Sequence, residues 1–246
     1  MFFDVENLWL FYSVLPIVAF LYAAVGHGGA SGYLALMVLF NFSPNYMKPT
    51  ALLLNLFVAG VAFVHYYRQG HFNGKLFSMF AIGSIPLAFL GGIFEVDASL
   101  YKKILAIFLL IAIARMLVQQ SNTIVTKQLK WWQGIFIGAA IGFFSGLIGI
   151  GGGIILTPVI LLFHWGNMKE AAAVSALFIW VNSGAGMLGM LTNGITISPD
   201  VFLCVTIAVV GGFLGSYYGS KKMKHKTLSY LLMFVLILAS AKLFFT

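Results

Sequence analysis

The residues in this chain best suited to chemistry are two glycine clusters. The first is Gly26-His27-Gly28-Gly29-Ala30-Ser31-Gly32, and the second is Gly149-Ile150-Gly151-Gly152-Gly153. Each precedes a short apolar stretch. Glycine lets a ligand approach the main chain closely. A helix that starts just after such a break has several N–H groups without intrahelical partners, and its positive dipole end faces the break. Together these features build an anion site from backbone. The candidate substrate-binding residues are therefore Gly26, Gly28, Gly29, Gly149, Gly151, Gly152 and Gly153. The competing reading is that these glycines only let helices pack closely, as small residues commonly do in membranes.

Four polar side chains join this set. Ser31 offers a hydroxyl. His27 titrates near physiological pH and is suited to bonding an anion or carrying a proton; otherwise it is a neutral ring bonded to nearby backbone. Its counterpart in the second cluster is Ile150, so the architecture does not demand a histidine. Asn55 and Asn182 lie in apolar stretches just after each cluster and match within one helical turn. A buried amide needs partners. Either an anion accepts from its NH2, or the amide ties helices together through Ser175, Ser183 or Thr50.

What is missing also narrows the chemistry. All six acidic residues fall in loops or at their edges. Intramembrane acids usually mark cation sites and proton relays, so their absence favours an anion bound by dipoles and neutral donors. No two histidines have metal-ligand spacing, so no metal and no cofactor is expected. An intramembrane enzyme would need a nucleophile beside a base, and the one such neighbouring pair is Ser31 with His27. No catalytic residue is assigned.

The elements that position these residues follow from composition. Of 246 residues, 61% are hydrophobic and 8% are charged, and mean hydropathy is +1.00. Soluble domains carry about 25% charged residues. Apolar stretches run at 8–25, 30–41, 49–67, 76–94, 99–119, 131–148, 153–163, 171–191, 200–219 and 227–245. These are too long for strands, so the class is helical and membrane-embedded. The stretches 30–41 and 153–163 are too short to cross a core ~30 Å thick. The sparse +8 charge excludes nucleic acid and reads as topology. The first stretch lacks the basic flank of a signal peptide and is read as retained. A lone Cys204 forms no internal disulfide and is read as packing. Tyr66, Tyr67, Trp131, Trp132, Trp165, Tyr217 and Tyr218 read as an interfacial belt, with His65 and His71 interfacial and His164 and His225 in loops.

The two clusters are related by an offset of 123, which also places Leu39-Phe40 on Leu162-Phe163. Gly91 falls on Gly215, and Ala114-Arg115 falls on Ala241-Lys242, with Arg115 and Lys242 read as snorkelling or gate-lining cations. The chain reads as one domain, 1–246, made of repeat 1 at about 8–119 and repeat 2 at about 131–245.

Charge decides between parallel and inverted halves. If each cluster turns the chain back, one side holds Arg68, Lys75, Arg115, Lys127, Lys130, Lys169, Lys221, Lys222, Lys224 and Lys226, and the other holds Lys48, Lys102, Lys103 and Lys242. Breaks within single crossings would divide the cations far more evenly. Cytoplasmic loops are enriched in Lys and Arg, so the inverted reading is preferred, with both termini outside. The expected fold is an all-α polytopic membrane protein: two inverted repeats, each a Gly-broken helical hairpin plus three transmembrane helices. Inverted repeats with interrupted helices are a transporter signature.

The stretch Phe144-Ser145-Gly146-Leu147-Ile148-Gly149-Ile150-Gly151-Gly152-Gly153, followed by Pro158, resembles the second-half signature of the sulfite exporter TauE/SafE family. The Gly26 to Gly32 cluster resembles its first-half counterpart, though it carries His27 and Ala30-Ser31 where a plainer glycine run is common. The resemblance covers nearly the whole chain. It implies a permease of the bacterial or archaeal cytoplasmic membrane for sulfur-containing or organic anions such as sulfite, sulfonates or sulfoacetate. Family members act mostly as exporters, and some are linked to uptake. The expected function is secondary transport by alternating access, with an anion channel of the same architecture as the alternative. The partners are a small anionic substrate and the lipid bilayer; a homo-oligomer stays open.

Overall fold

The computed structural model describes residues 8–24, 26–117, 127–195, 197–221 and 237. Among these residues the chain forms nine helices and no strand: α1 (Leu8–Ala24), α2 (Ala30–Leu39), α3 (Pro44–Arg68), α4 (Gly74–Ile93), α5 (Ala98–Leu117), α6 (Trp131–Ile148), α7 (Gly153–Leu162), α8 (Met168–Thr192) and α9 (Asp200–Lys221). Five of them, α3, α4, α6, α8 and α9, are long and apolar enough to cross a membrane, and α1, α2 and α7 are shorter apolar helices. The apolar stretch 227–245, residue 237 apart, and the side chains of Arg115 and Lys242 lie outside the described residues.

Polar side chains set the helix starts. Asn73 Oδ1 accepts from Leu76 N at 3.1 Å to open α4, and Asp97 Oδ1 accepts from Ser99 N and Leu100 N to open α5. Asn167 and Glu170 form a reciprocal box at the start of α8, with bonds of 2.9 to 3.0 Å. Two helices therefore begin earlier than hydropathy alone indicates. α8 starts at Met168 behind its capping box, and α3 starts at Pro44, a favoured first helical position.

Interhelical contacts fix the directions of the chain. α4 packs along α6 and α8, and α1 and α3 pack along α9. On α6, Gly138, Gly142 and Gly146 lie directly against the carbonyls of Phe80, Ser84 and Ala88 on α4. On α9, Gly211, Gly215 and Gly219 lie against those of Pro16, Phe20 and Ala24 on α1. Both pairs thus run parallel. α3 and α8 meet through Leu52 with Gly186, Asn55 with Ser183, Leu56 with Gly184, and Gly60 with Trp180, so they run antiparallel. Small residues at these contacts let backbones approach at van der Waals distance.

The connections α1–α2 and α6–α7 are hairpins that open at opposite ends. Phe11 of α1 packs on Phe40 and Phe42 beyond α2, beside the α3 N-terminus. Lys127, ahead of α6, donates its N–H to His164 O beyond α7 at 2.7 Å, and Trp165 packs on Phe80 near the α4 N-terminus. α2 and α7 each have ten residues, and α3 and α8 each have twenty-five. Asn41 and His164, one residue past the matching C-caps Phe40 and Phe163, both take positive φ, 59° and 58°.

Exposed Tyr67, Trp131, Trp132, Tyr217 and Tyr218 fit the expected belt. Tyr66 does not. It is buried, and its hydroxyl donates to Ala24 O at 3.4 Å. Trp165 is partly buried and stacks on Phe163. His65 bonds Ser216 Oγ at 2.8 Å across the α3–α9 contact. Lys48, just outside the apolar stretch 49–67, lies within the first turns of α3 and is only 9% exposed.

Candidate functional site

The two glycine segments meet. A Cβ added at Gly28 would lie 2.5 Å from Asn55 Oδ1, 2.8 Å from Ile179 Cγ2 and 3.1 Å from Ala59. One added at Gly151 would lie 2.5 Å from Asn55 Nδ2, 2.8 Å from the same Ile179 atom and 3.1 Å from Ser183 Oγ. Asn55 and Ile179 are 124 positions apart in matching helices, and so are Ala59 and Ser183. The junction is built from positions of α3 and α8 that share the same place in their helices, with amide facing isoleucine and methyl facing hydroxyl.

Asn55 is fully buried. Its Nδ2 donates to Ile150 O at 3.4 Å and to Ser183 Oγ at 3.2 Å, while Oδ1 has no hydrogen-bond partner. The amide therefore ties α3 to both α8 and the second glycine segment. Beyond it the two tips extend further. Gly26 reaches Ala172 of α8, and Gly149 reaches Lys48 of α3, again at equivalent positions.

The helices that start at the tips have bare N-termini. Gly29 caps α2 at φ 99° and Gly152 caps α7 at φ 79°, and neither helix receives a side-chain cap. This backbone favours glycine, because an L side chain at such φ is strained. The opposite dipole ends are covered. Tyr101 donates to Ile148 O at 3.0 Å, and Tyr66 donates to Ala24 O. The carbonyl-rich C-termini of α1 and α6 are thus satisfied by phenols, while the N–H ends of α2 and α7 retain their positive character.

The remaining expected residues divide. His27 is 3% exposed at the first tip, and its N–H bonds Tyr22 O at 3.0 Å. Ser31 is buried and donates to Tyr22 Oη at 2.9 Å, so that hydroxyl's proton is directed at a phenol. Gly153 opens α7 with Ile179 directly against it. Asn182 is buried but turns Nδ2 back to Phe178 O of its own helix at 2.7 Å. In the register of α3 and α8 its counterpart is Val58, so Asn55 and Asn182 are not equivalent. Among the described residues no hydrogen bond links Asn182 to either tip. Residues that sequence reasoning did not place at the site are Ile179 and Ala59 at the junction and Lys48 beside Gly149. Only the exact α3–α8 register identifies them.

Among the described residues, no carboxylate is buried and no group of three or more His, Cys, Asp or Glu is close enough to hold a metal ion. Glu95, Asp97 and Asp200 are exposed, and Glu170 is at a helix start.

Such a bundle, with lipid-length helices and two broken hairpins, defines a multi-pass helical membrane protein. The sulfite exporter TauE/SafE family model matches residues 13–243, and the chain belongs to that family. It is similar to "Probable membrane transporter protein y4hK" of Sinorhizobium fredii, with 35% identity over 92% of this chain and 94% of that one. "Probable membrane transporter protein YunE" of Bacillus subtilis is 33% identical over 46% of this chain and 41% of its own length. No solved structure matches.

Proposed function

We propose that the protein is a secondary transporter of small sulfur-containing or organic anions, such as sulfite, sulfonates or sulfoacetate, in a prokaryotic cytoplasmic membrane. The observation that carries this reading is the convergence of Gly28 and Gly151 on Asn55 from hairpins that open at opposite ends. Two uncapped helix N-termini then face one junction, with an amide between them. Negative charge is stabilised there without any basic side chain.

The halves are read as inverted repeats. The antiparallel crossing of α3 and α8, helices of equal length at matching positions, supports this. So does the exchange of partners, with α4 of the first half on α6 of the second and α9 of the second half on α1 of the first. Arg68, Lys75, Lys127, Lys130 and Lys169 collect at the end where α3 finishes, which is therefore cytoplasmic. Each tip lies between the junction and one face of the membrane: Gly26 and His27 inside, Gly149 and Ile150 outside. Rocking one half against the other withdraws one tip at a time, which is alternating access. The outward direction follows the family's name. A weak-acid substrate brings its own proton, so the helices need no carboxylate relay.

The test is thermal stabilisation of the purified protein by a panel of small anions and cations, followed by flux in proteoliposomes. Stabilisation by an anion, with counterflow of that anion, supports the reading. Stabilisation by cations alone, or flux without counterflow, contradicts it.

A further inference from the structure

Lys48 is the sole Lys or Arg among the buried residues described. Lysine is almost never buried without a pairing partner, because removing its charge from water is costly. Here Nζ donates to Gly92 O at 3.4 Å and Phe94 O at 3.5 Å, two carbonyls at the C-terminal end of α4. Both distances are at the long edge of hydrogen bonding. An ammonium has three N–H groups, so these two weak neutral contacts leave it under-compensated. Glu95, exposed just past the same turn, acts on it electrostatically.

The location is specific. The Lys48 stem lies beside Gly149, where an added Cβ would be 3.3 Å from Lys48 Cγ. Gly149 is the turn residue of the outer tip. Lys48 and Asn55 are seven residues apart on one face of α3, roughly 10 Å along the axis. At the equivalent place on the other side, Gly26 is met by Ala172, which is also buried. Alanine satisfies the packing need there, so the charge on Lys48 is not required to fill space.

We propose that Lys48 is the cationic docking residue for the transported anion on the α3 N-terminal side of the junction, about two helical turns from Asn55. The proposal rests on the anion-transport reading above. In the arrangement described here the ammonium is kept on the α4 carbonyls. An arriving anion offers a stronger, charge-assisted partner and draws it away.

Purified wild type, Lys48→Met, Lys48→Arg and Glu95→Gln would each be titrated with sulfoacetate and with sulfite, reading thermal stabilisation as apparent affinity. Removing one partner of a buried charge contact should weaken affinity about tenfold or more in Lys48→Met. Lys48→Arg should stay near wild type, and Glu95→Gln should bind more tightly because a competing carboxylate is gone. A merely structural cap on α4 predicts a lower melting temperature in Lys48→Met with unchanged anion affinity, and that result would overturn the proposal. If Lys48→Met does not fold, Glu95→Gln decides: tighter binding upholds it and unchanged affinity refutes it. Failure of every anion to stabilise the wild type would instead sink the anion reading, and Lys48's assignment with it.

Discussion

Gly28 and Gly151, 123 residues apart in the chain, press on the two ends of one amide, with Asn55 Oδ1 against the first and Nδ2 against the second. That contact joins both halves of the protein through one side chain. Asn55→Leu keeps the volume but leaves Ile150 O and Ser183 Oγ without their donor. Losing such buried partners costs about 1–3 kcal/mol. Flux is expected to fall more than stability does, and proteoliposome transport beside a detergent melt checks both. Full transport in a normally folded Asn55→Leu would remove the amide from the site.

The glycines do not all report the same thing. Gly29→Val and Gly152→Val should each abolish transport, but the space beside them is already occupied by Tyr33 and by Ile141 with Phe178. Both also sit at positive φ. Their loss of function therefore includes strain and overpacking. Gly28→Ala is the sharper substitution, because its φ is not positive and the added methyl, though also crowded, meets only the junction residues Asn55, Ile179 and Ala59. Transport by Gly28→Ala is expected to drop sharply while insertion and monodispersity persist. Unaltered uptake or release of sulfoacetate would show that the junction is not on the path.

His27 has Ile150 as its counterpart, so His27→Ile makes the two tips alike. Sulfoacetate flux between pH 5 and 8 should lose its pH dependence in this variant, since histidine titrates in that window. His71, whose pKa burial and the nearby Lys169 lower, is the control: His71→Ala should keep the wild-type profile. An identical profile in His27→Ile and wild type would make His27 structural.

Orientation is testable at exposed helix ends. Asp97→Cys, at the end where α3 begins, should react with a membrane-impermeant thiol reagent added outside intact cells. Lys130→Cys, at the opposite end, should react only after the membrane is opened. Cys204 is buried and contributes little background. The reverse pattern would invert the topology.

Much of the architecture was legible in the chain because glycine and apolar runs carry direct physical meaning in a membrane. The all-helical class, the two broken segments and the short helices behind them all trace to visible residues. The polar helix starts are not visible to hydropathy, so the apolar stretch 49–67 leaves out Lys48, which lies within α3. Asn55 and Asn182 look equivalent within one turn, yet equivalence at the junction depends on register to a single residue, which pairs Asn55 with Ile179. Tyr66 resembles a belt residue by position, but burial turned it into a donor for Ala24 O. Ser31 similarly found a phenol, because Tyr22 is nine residues back on the other arm of the same hairpin. Long-range contacts of this kind leave no mark in local spacing.

Ser183 is buried at the junction and bonded to Asn55, with no tip residue between them. In a Cys204→Ala background, Ser183→Cys offers one thiol at the place where the anion should sit. Its modification rate by a small, charged, impermeant thiol reagent would be measured from each side of the membrane, with and without sulfoacetate. The account predicts slow reaction from either side in turn and clear protection by sulfoacetate. Reaction from one side only, or at the same rate whether or not the anion is present, would contradict a shared anion site reached alternately from both faces.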